Sequence, residues 1–163
     1  MTERKIDSIC VSARFSALPQ LLAPLSPSAS WVANPQDAKT LLQAQIAVEE
    51  LFANSIHHGY GGESDQPVWL SVEQDGATLR VVYVDQAQEF DPFSSINDHD
   101  DEPDATVEKR LVGGLGRLLV RELARNCTYA READRNVTQL EFALAPPPAA
   151  NGQDHGVPQG RWL

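Results

Sequence analysis

Glu50 and Asn54 stand four residues apart in the run VEELFANSIHHGY, upstream of Asp85 and of a glycine cluster at Gly113, Gly114 and Gly116. On a helix, residues at i and i+4 lie one above the other, so this carboxylate and carboxamide would project from a single face. Closely spaced glycines let backbone N–H groups approach the phosphates of a ligand. Taken in this order along the chain, the three features predict a nucleotide site.

The element that must carry Glu50 and Asn54 begins at Asn34, a good N-cap, with Pro35 at the first helical position and Asp37 in the first turn. A long helix is expected from there to about His58, ended by Gly59. Its apolar residues, Leu41, Leu42, Ile46, Val48, Leu51, Phe52 and Ile56, are too many for a thin stripe and predict a helix largely buried against a sheet. A carboxylate or amide in such a helix is costly unless it has a partner or a task. The alternative is that Glu49 and Glu50 face water and Asn54 bonds backbone.

Around this helix the pattern is mostly β. Residues 6–15 read as a first strand, and the proline-broken stretch that follows reads as a short or interrupted helix. The runs VWLSVEQ and ATLRVVYV, joined through Asp75 and Gly76, form a hairpin signal. The second run turns continuously apolar and stops at Asp85, which places a lone carboxylate at the end of a buried strand. A lid is expected over residues 86–112, then a helix over 115–126 with Leu115, Leu118, Leu119 and Leu123 as its apolar face. A last hairpin, 127–131 and 137–144, surrounds a polar turn at Asp134, Arg135 and Asn136. Residues 1–145 read as one domain and 146–163, rich in Pro and Gly, as a tail.

With a net charge of −10 over 163 residues, the chain lacks the clustered cations that nucleic-acid binding needs. Nine of its acidic residues fall between Asp85 and Glu108 with no Lys or Arg among them, so one segment carries most of the imbalance. Such crowded like charges read as a solvated loop. No apolar run approaches bilayer length and the first residues are polar, which predicts a cytoplasmic protein without membrane contact. Cys10 and Cys127 are expected as reduced core thiols. His57 and His58, being adjacent, point to different sides of a helix and are expected to be structural or surface groups.

The ordered motifs resemble the ATP-binding fold shared by histidine kinases, gyrase-type topoisomerases and MutL, the Bergerat-fold ATPase superfamily. Within it the chain is most similar to the stand-alone anti-sigma-factor serine kinases of the RsbW and SpoIIAB type, over about residues 6–144. The match runs from Glu50 and Asn54 through His58, Gly59 and Tyr60, to Asp85 with Phe90, Asp91 and Pro92, and to Gly113, Gly114, Leu115 and Gly116. Ala87 departs from it, standing where the family has glycine and placing a methyl group where the family leaves space. The resemblance implies an α+β fold, a two-layer α/β sandwich with a mixed, mostly antiparallel sheet and helices on one face.

It also implies roles: Glu50 as general base, Asn54 as ligand of ATP-bound Mg2+, and Asp85 as acceptor for the adenine amino group. Ala87 would lie against the base, the glycine cluster with Leu115 would face the phosphates, and Asn136 with Thr138 resembles the family's closing motif, in which the Thr138 hydroxyl would support adenine recognition. Lys109, Arg110 and Arg117 are the cations near the phosphates, with no ground in the sequence for choosing among them. The implied activity is that of an ATP-dependent kinase phosphorylating a STAS-type anti-anti-sigma protein, sequestering a sigma factor, or both, with homodimers common among relatives. A sequestering or nucleotide-sensing module without kinase activity is the rival. A detached sensor-kinase ATPase domain ranks third.

Overall fold

The computed structural model describes residues 4–94 and 116–146. Its strands are β1 (Arg4–Ser12), β2 (Pro67–Asp75), β3 (Thr78–Asp85), β4 (Asn126–Glu132) and β5 (Arg135–Ala143), in one sheet of spatial order β1-β2-β3-β5-β4. All four pairings are antiparallel, so among the described residues the sheet is not mixed. The fold class is α+β. Of the expected lid, only residues 86–94 are described, and the expected tail from 147 onward lies outside the described residues.

Strand burial alternates with period two, as side chains on a pleated sheet must. Val68, Leu70 and Val72 of β2, Leu79, Val81 and Tyr83 of β3, and Leu140 and Phe142 of β5 are buried on the helix-covered face. Each buried aliphatic or aromatic side chain of this kind stabilises by roughly 1.5–3 kcal/mol. Gly76 and Ala77 form the β2–β3 turn, because Asp75 pairs with Thr78, and Gly76 supplies the positive φ of 57°. The next hairpin turns at Ala133 and Asp134, starting one residue and ending two residues earlier than the sequence pattern suggests. Asn136 is therefore not a turn residue but a buried strand residue.

Among the described residues, three helices cover the inner face. The short α1 (Leu18–Leu22) is flanked by single turns of tighter helix at Phe15–Ala17 and Ala23–Leu25, consistent with its prolines. Ahead of α2 (Ala38–Asn54), Asn34 Oδ1 accepts a hydrogen bond from the Gln36 N–H, as a cap should. Asp37 is buried and accepts from the Ala145 N–H at 2.7 Å, tying the helix start to the chain leaving β5. The third helix, α3, spans 116–123.

The apolar faces of α2 and α3 differ from the sequence pattern in an instructive way. Leu41, Val48, Leu51 and Phe52 are buried, with small Ala44 and Ala47 buried beside them, so α2 buries one stripe only. Leu42 and Ile46, expected inside, are 50% and 42% exposed. In α3 it is Val120, with Ala124 just beyond the helix, that is buried, while Leu118 and Leu119 are exposed. Successive helical residues step by about 100°, and a leucine count cannot say which leucine wins the inward position. Cys10 is exposed on β1, and Cys127 is half-buried with its thiol pKa raised by burial, so only Cys127 is near the core.

Candidate functional site

The C-terminal end of α2 widens into a π-helical turn, Ser55–Gly59, directly after Asn54. Such bulges occur mostly as single turns and frequently at functional sites. The turn rotates Ser55 inward, where it is buried, and delivers Gly59 to the start of β3's exit loop. Tyr60 then pins the helix end to the sheet. Its hydroxyl donates to the Pro67 carbonyl at 3.0 Å and accepts from the Gln86 N–H at 2.8 Å, and burial raises its pKa, keeping the phenol protonated.

Sheet register supplies the opposite wall. Tyr83 pairs with Thr138 and Asp85 with Asn136 across β3 and β5, while Tyr129 pairs with Thr138 and Arg131 with Asn136 across β4 and β5. Two adjacent rows therefore run across three strands: Asp85, Asn136, Arg131 and Tyr83, Thr138, Tyr129. Directly opposed residues on one face lie within side-chain reach.

Asp85 is 6% exposed and almost fully engaged. Its Oδ1 accepts from the Ala87 N–H at 2.9 Å and from Asn136 Nδ2 at 2.7 Å. Its Oδ2 accepts from the Ser55 hydroxyl at 2.6 Å. That hydroxyl in turn accepts from Tyr83 at 2.8 Å. Burial, and secondarily the negative charge of Asp85, hold the Tyr83 pKa well above its ordinary value. Tyr83 is therefore a permanent donor, and of the two acceptors facing the Ser55 hydroxyl, the Asp85 carboxylate at 2.6 Å and the Leu51 carbonyl at 3.1 Å, the charged and nearer one is favoured. A carboxylate offers about four acceptor positions, and the described protein groups take three, leaving one on Oδ2.

Asp85 forms part of the wall of a cavity of about 270 Å3, together with Asn54, Ala87, Phe90 and Thr138. That volume suits a heterocyclic base. A buried carboxylate with one acceptor position left is the complement of an exocyclic amino group, so the residues fit an adenine nucleotide. Asn54 can present its carboxamide oxygen to a hard cation, which takes oxygen ligands and accepts one or two protein groups beside phosphates and water. Among the described residues, no group of three or more His, Cys, Asp and Glu could hold a metal ion by itself. His58 borders the cavity and His57 stacks near Phe15 with ring centroids 5.3 Å apart.

Of the residues singled out by sequence, Asn54, Asp85, Ala87 and Thr138 meet at this cavity. Glu50 lies one turn earlier on α2, half-buried, and its carboxylate sits against Gly116 so closely that a Cβ on that glycine would collide with Glu50 Oε2. Lys109, Arg110, Gly113, Gly114 and Leu115 lie outside the described residues. Ala87 has no positive φ, so its backbone does not demand glycine. Its methyl lies where a Cβ on Gly59 would have to go, 2.5 Å from that built position. The Ala87 methyl is thus accommodated by the missing side chain of Gly59.

Ser55, Tyr83, Asn136, Tyr129 and Arg131 complete the site, and the motif reading passes over most of them. The alternation Tyr83, Asp85 on β3 and Asn136, Thr138, Leu140, Phe142 on β5 was a usable signal for two of these, Tyr83 and Asn136. Arg131 carries none, because its role depends on pairing between strands.

A family model for the histidine kinase-like ATPase domain matches residues 15–142. The chain belongs to that family. Membership implies ATP binding, in agreement with a cavity that ends on a buried acceptor. No curated protein matches the chain. Among solved structures, the RsbU and RsbW domains of Rv1364c from Mycobacterium tuberculosis share the fold, with a TM-score of 0.58 and 15% identity over 90% of this chain. The ATPase domain described here spans 34% of that longer protein. Among the described residues, no helix is long and apolar enough to cross a membrane.

Proposed function

We propose that this ATPase domain is an anti-sigma regulatory serine kinase, which binds ATP and phosphorylates a STAS-type anti-anti-sigma partner, sequesters a sigma factor, or does both. The observation that carries the reading is the buried Asp85 with one acceptor position left on the cavity wall that also holds Asn54. Asp85 accepts the adenine amino group, Thr138 borders the base, and Asn54 would hold Mg2+, which offsets phosphate charge when bound. Gly113, Gly114, Leu115, Gly116, Lys109 and Arg110 belong, in this reading, to the phosphate side.

Glu50 is the general base. It takes the proton of a partner serine hydroxyl as the serine oxygen forms its bond to the γ-phosphorus, the bond from that phosphorus to the β–γ bridging oxygen breaks, and ADP leaves. The protein would act in the cytoplasm, as a monomer or homodimer.

The test is incubation with Mg2+·ATP and a STAS-domain protein encoded beside it, followed by mapping of phosphoserine. Phosphate on serine is expected, and Glu50→Ala should abolish it while ADP still binds. A folded protein that binds ATP but transfers nothing would refute the kinase reading. It would leave the second reading, a nucleotide-responsive sequestering module, which the contact between Glu50 and Gly116 favours because it covers the carboxylate. Absence of saturable ADP or ATP binding with Mg2+ would remove both.

A further inference from the structure

Arg131 occupies the outer strand of the last hairpin, in the row that begins at Asp85 and passes through Asn136. One of its terminal nitrogens, Nη1, donates both to Asn136 Oδ1 at 2.9 Å and to the Ala87 carbonyl at 2.9 Å. Asn136 Oδ1 also accepts from the Tyr129 hydroxyl at 2.8 Å and from the Phe90 N–H at 3.4 Å. On its other side, Asn136 Nδ2 donates to Asp85 Oδ1 at 2.7 Å, to the Gln88 carbonyl at 3.0 Å and to the Ala87 carbonyl at 3.4 Å.

This donor and acceptor set admits one orientation of the Asn136 amide. Arg131 only donates, and the Asp85 carboxylate and the two carbonyls only accept, so the amide oxygen must face Arg131 and the amide nitrogen Asp85. The amide dipole is thereby aligned between a cation on the edge strand and an anion in the cavity wall. Ala87 is held from two sides, by its N–H on Asp85 and its carbonyl on Arg131. Residues 85–90, which supply Asp85, Ala87 and Phe90 to the cavity, are thus clamped to the last hairpin by one charged group.

We propose that Arg131 is a positioning residue for base recognition: acting through Asn136 and the Ala87 carbonyl, it sets Asp85 and the 87–90 turn in the geometry that selects adenine. The proposal rests on the nucleotide reading above and assigns its base selectivity to a side chain that does not itself touch the base. Charge-assisted hydrogen bonds are roughly twice as strong as neutral ones, and an arrangement held by such bonds binds without having to be ordered first.

The experiment measures affinities of ADP, GDP and inorganic tripolyphosphate for the unmodified protein and for Arg131→Ala. The expected result is ADP binding weaker by about tenfold, in keeping with the loss of charge-assisted bonds, and an ADP-over-GDP preference reduced by a similar factor. Tripolyphosphate affinity, which reports the phosphate end, should stay the same. Arg131→Lys should recover part of the preference, because both bonds come from one nitrogen and an ammonium can donate to two acceptors. Should Arg131→Ala fail to fold, Arg131→Met keeps the stem against the sheet and serves in its place. An ADP preference unchanged in the Ala or Met variant, even with a lower melting temperature, makes Arg131 merely structural and overturns the proposal. Unmodified protein that binds none of the three overturns the nucleotide reading itself, a result separable from the first.

Discussion

The two ends of the site are built to different standards. At the base end, Asp85, Asn136, Ser55, Tyr83, Tyr129 and Arg131 form a continuous hydrogen-bonded group anchored on three strands and the end of α2. At the other end, Glu50 is half-buried against Gly116, and Asn54 shows no side-chain hydrogen bond among the described residues. A densely hydrogen-bonded buried group is rigid and costly to disturb, whereas a carboxylate beside a bare glycine can be displaced at little cost. In the proposed reading, recognition would be preorganised in the sheet, and the chemistry would fall to groups that are more easily displaced.

The largest test of this contrast is Asp85→Asn. The replacement puts an amide where Ala87, Asn136 and Ser55 all donate, and ADP affinity should fall by roughly a hundredfold or more, as loss of a charged acceptor and an unpaired buried donor imply. Isothermal titration measures it. Gly59→Ala comes next, because its Cβ would overlap the Ala87 methyl and overpacking of this kind costs about 1–3 kcal/mol. Ala87→Gly alone should be mild, and the double variant should recover most of the loss, a coupling that a denaturation cycle reads directly. Independent effects would show that the two residues do not share the space.

Gly116→Ala probes the other end. Its methyl would meet only the tip of a flexible side chain, so stability should change by less than about 1 kcal/mol. Phosphoryl transfer should nonetheless drop severalfold through displacement of Glu50, by a larger factor than any loss of ADP affinity. Equal losses in binding and transfer would mean the two ends are one unit. The smallest effect concerns alkaline pH. The Tyr83 pKa is raised by burial, so above about pH 10, where an unfolded tyrosine loses its proton, the folded state holds on to it and stability falls as pH rises. Tyr83→Phe should flatten that fall in urea titrations between pH 9 and 11, with Tyr60, Tyr129 and Cys127, whose pKa values are also raised by burial, supplying the remaining slope.

Much of the site was legible in the chain because its signals are local. The cap at Asn34, the spacing of Glu50 and Asn54, the hairpin through Gly76 and the carboxylate ending β3 each depend on a few neighbouring residues. The misplacements have a common cause. Leu42, Ile46, Leu118 and Leu119 look like core residues by type, but which face of α2 or α3 turns inward is settled by the sheet beneath. Asn136 looked like a turn residue because polar residues crowd around it, and strand pairing moved the turn to Ala133 and Asp134.

The sequence by itself determined which residues could do chemistry and on which elements the described ones ride. Only the tertiary structure decided that Asp85, Asn136 and Arg131 share a row, and that Gly59 rather than residue 87 gives up its Cβ. Asp85 and Asn136 are 51 residues apart in the chain. Register between strands is fixed by long-range packing, and a slip of one residue would turn every one of these side chains to the opposite face.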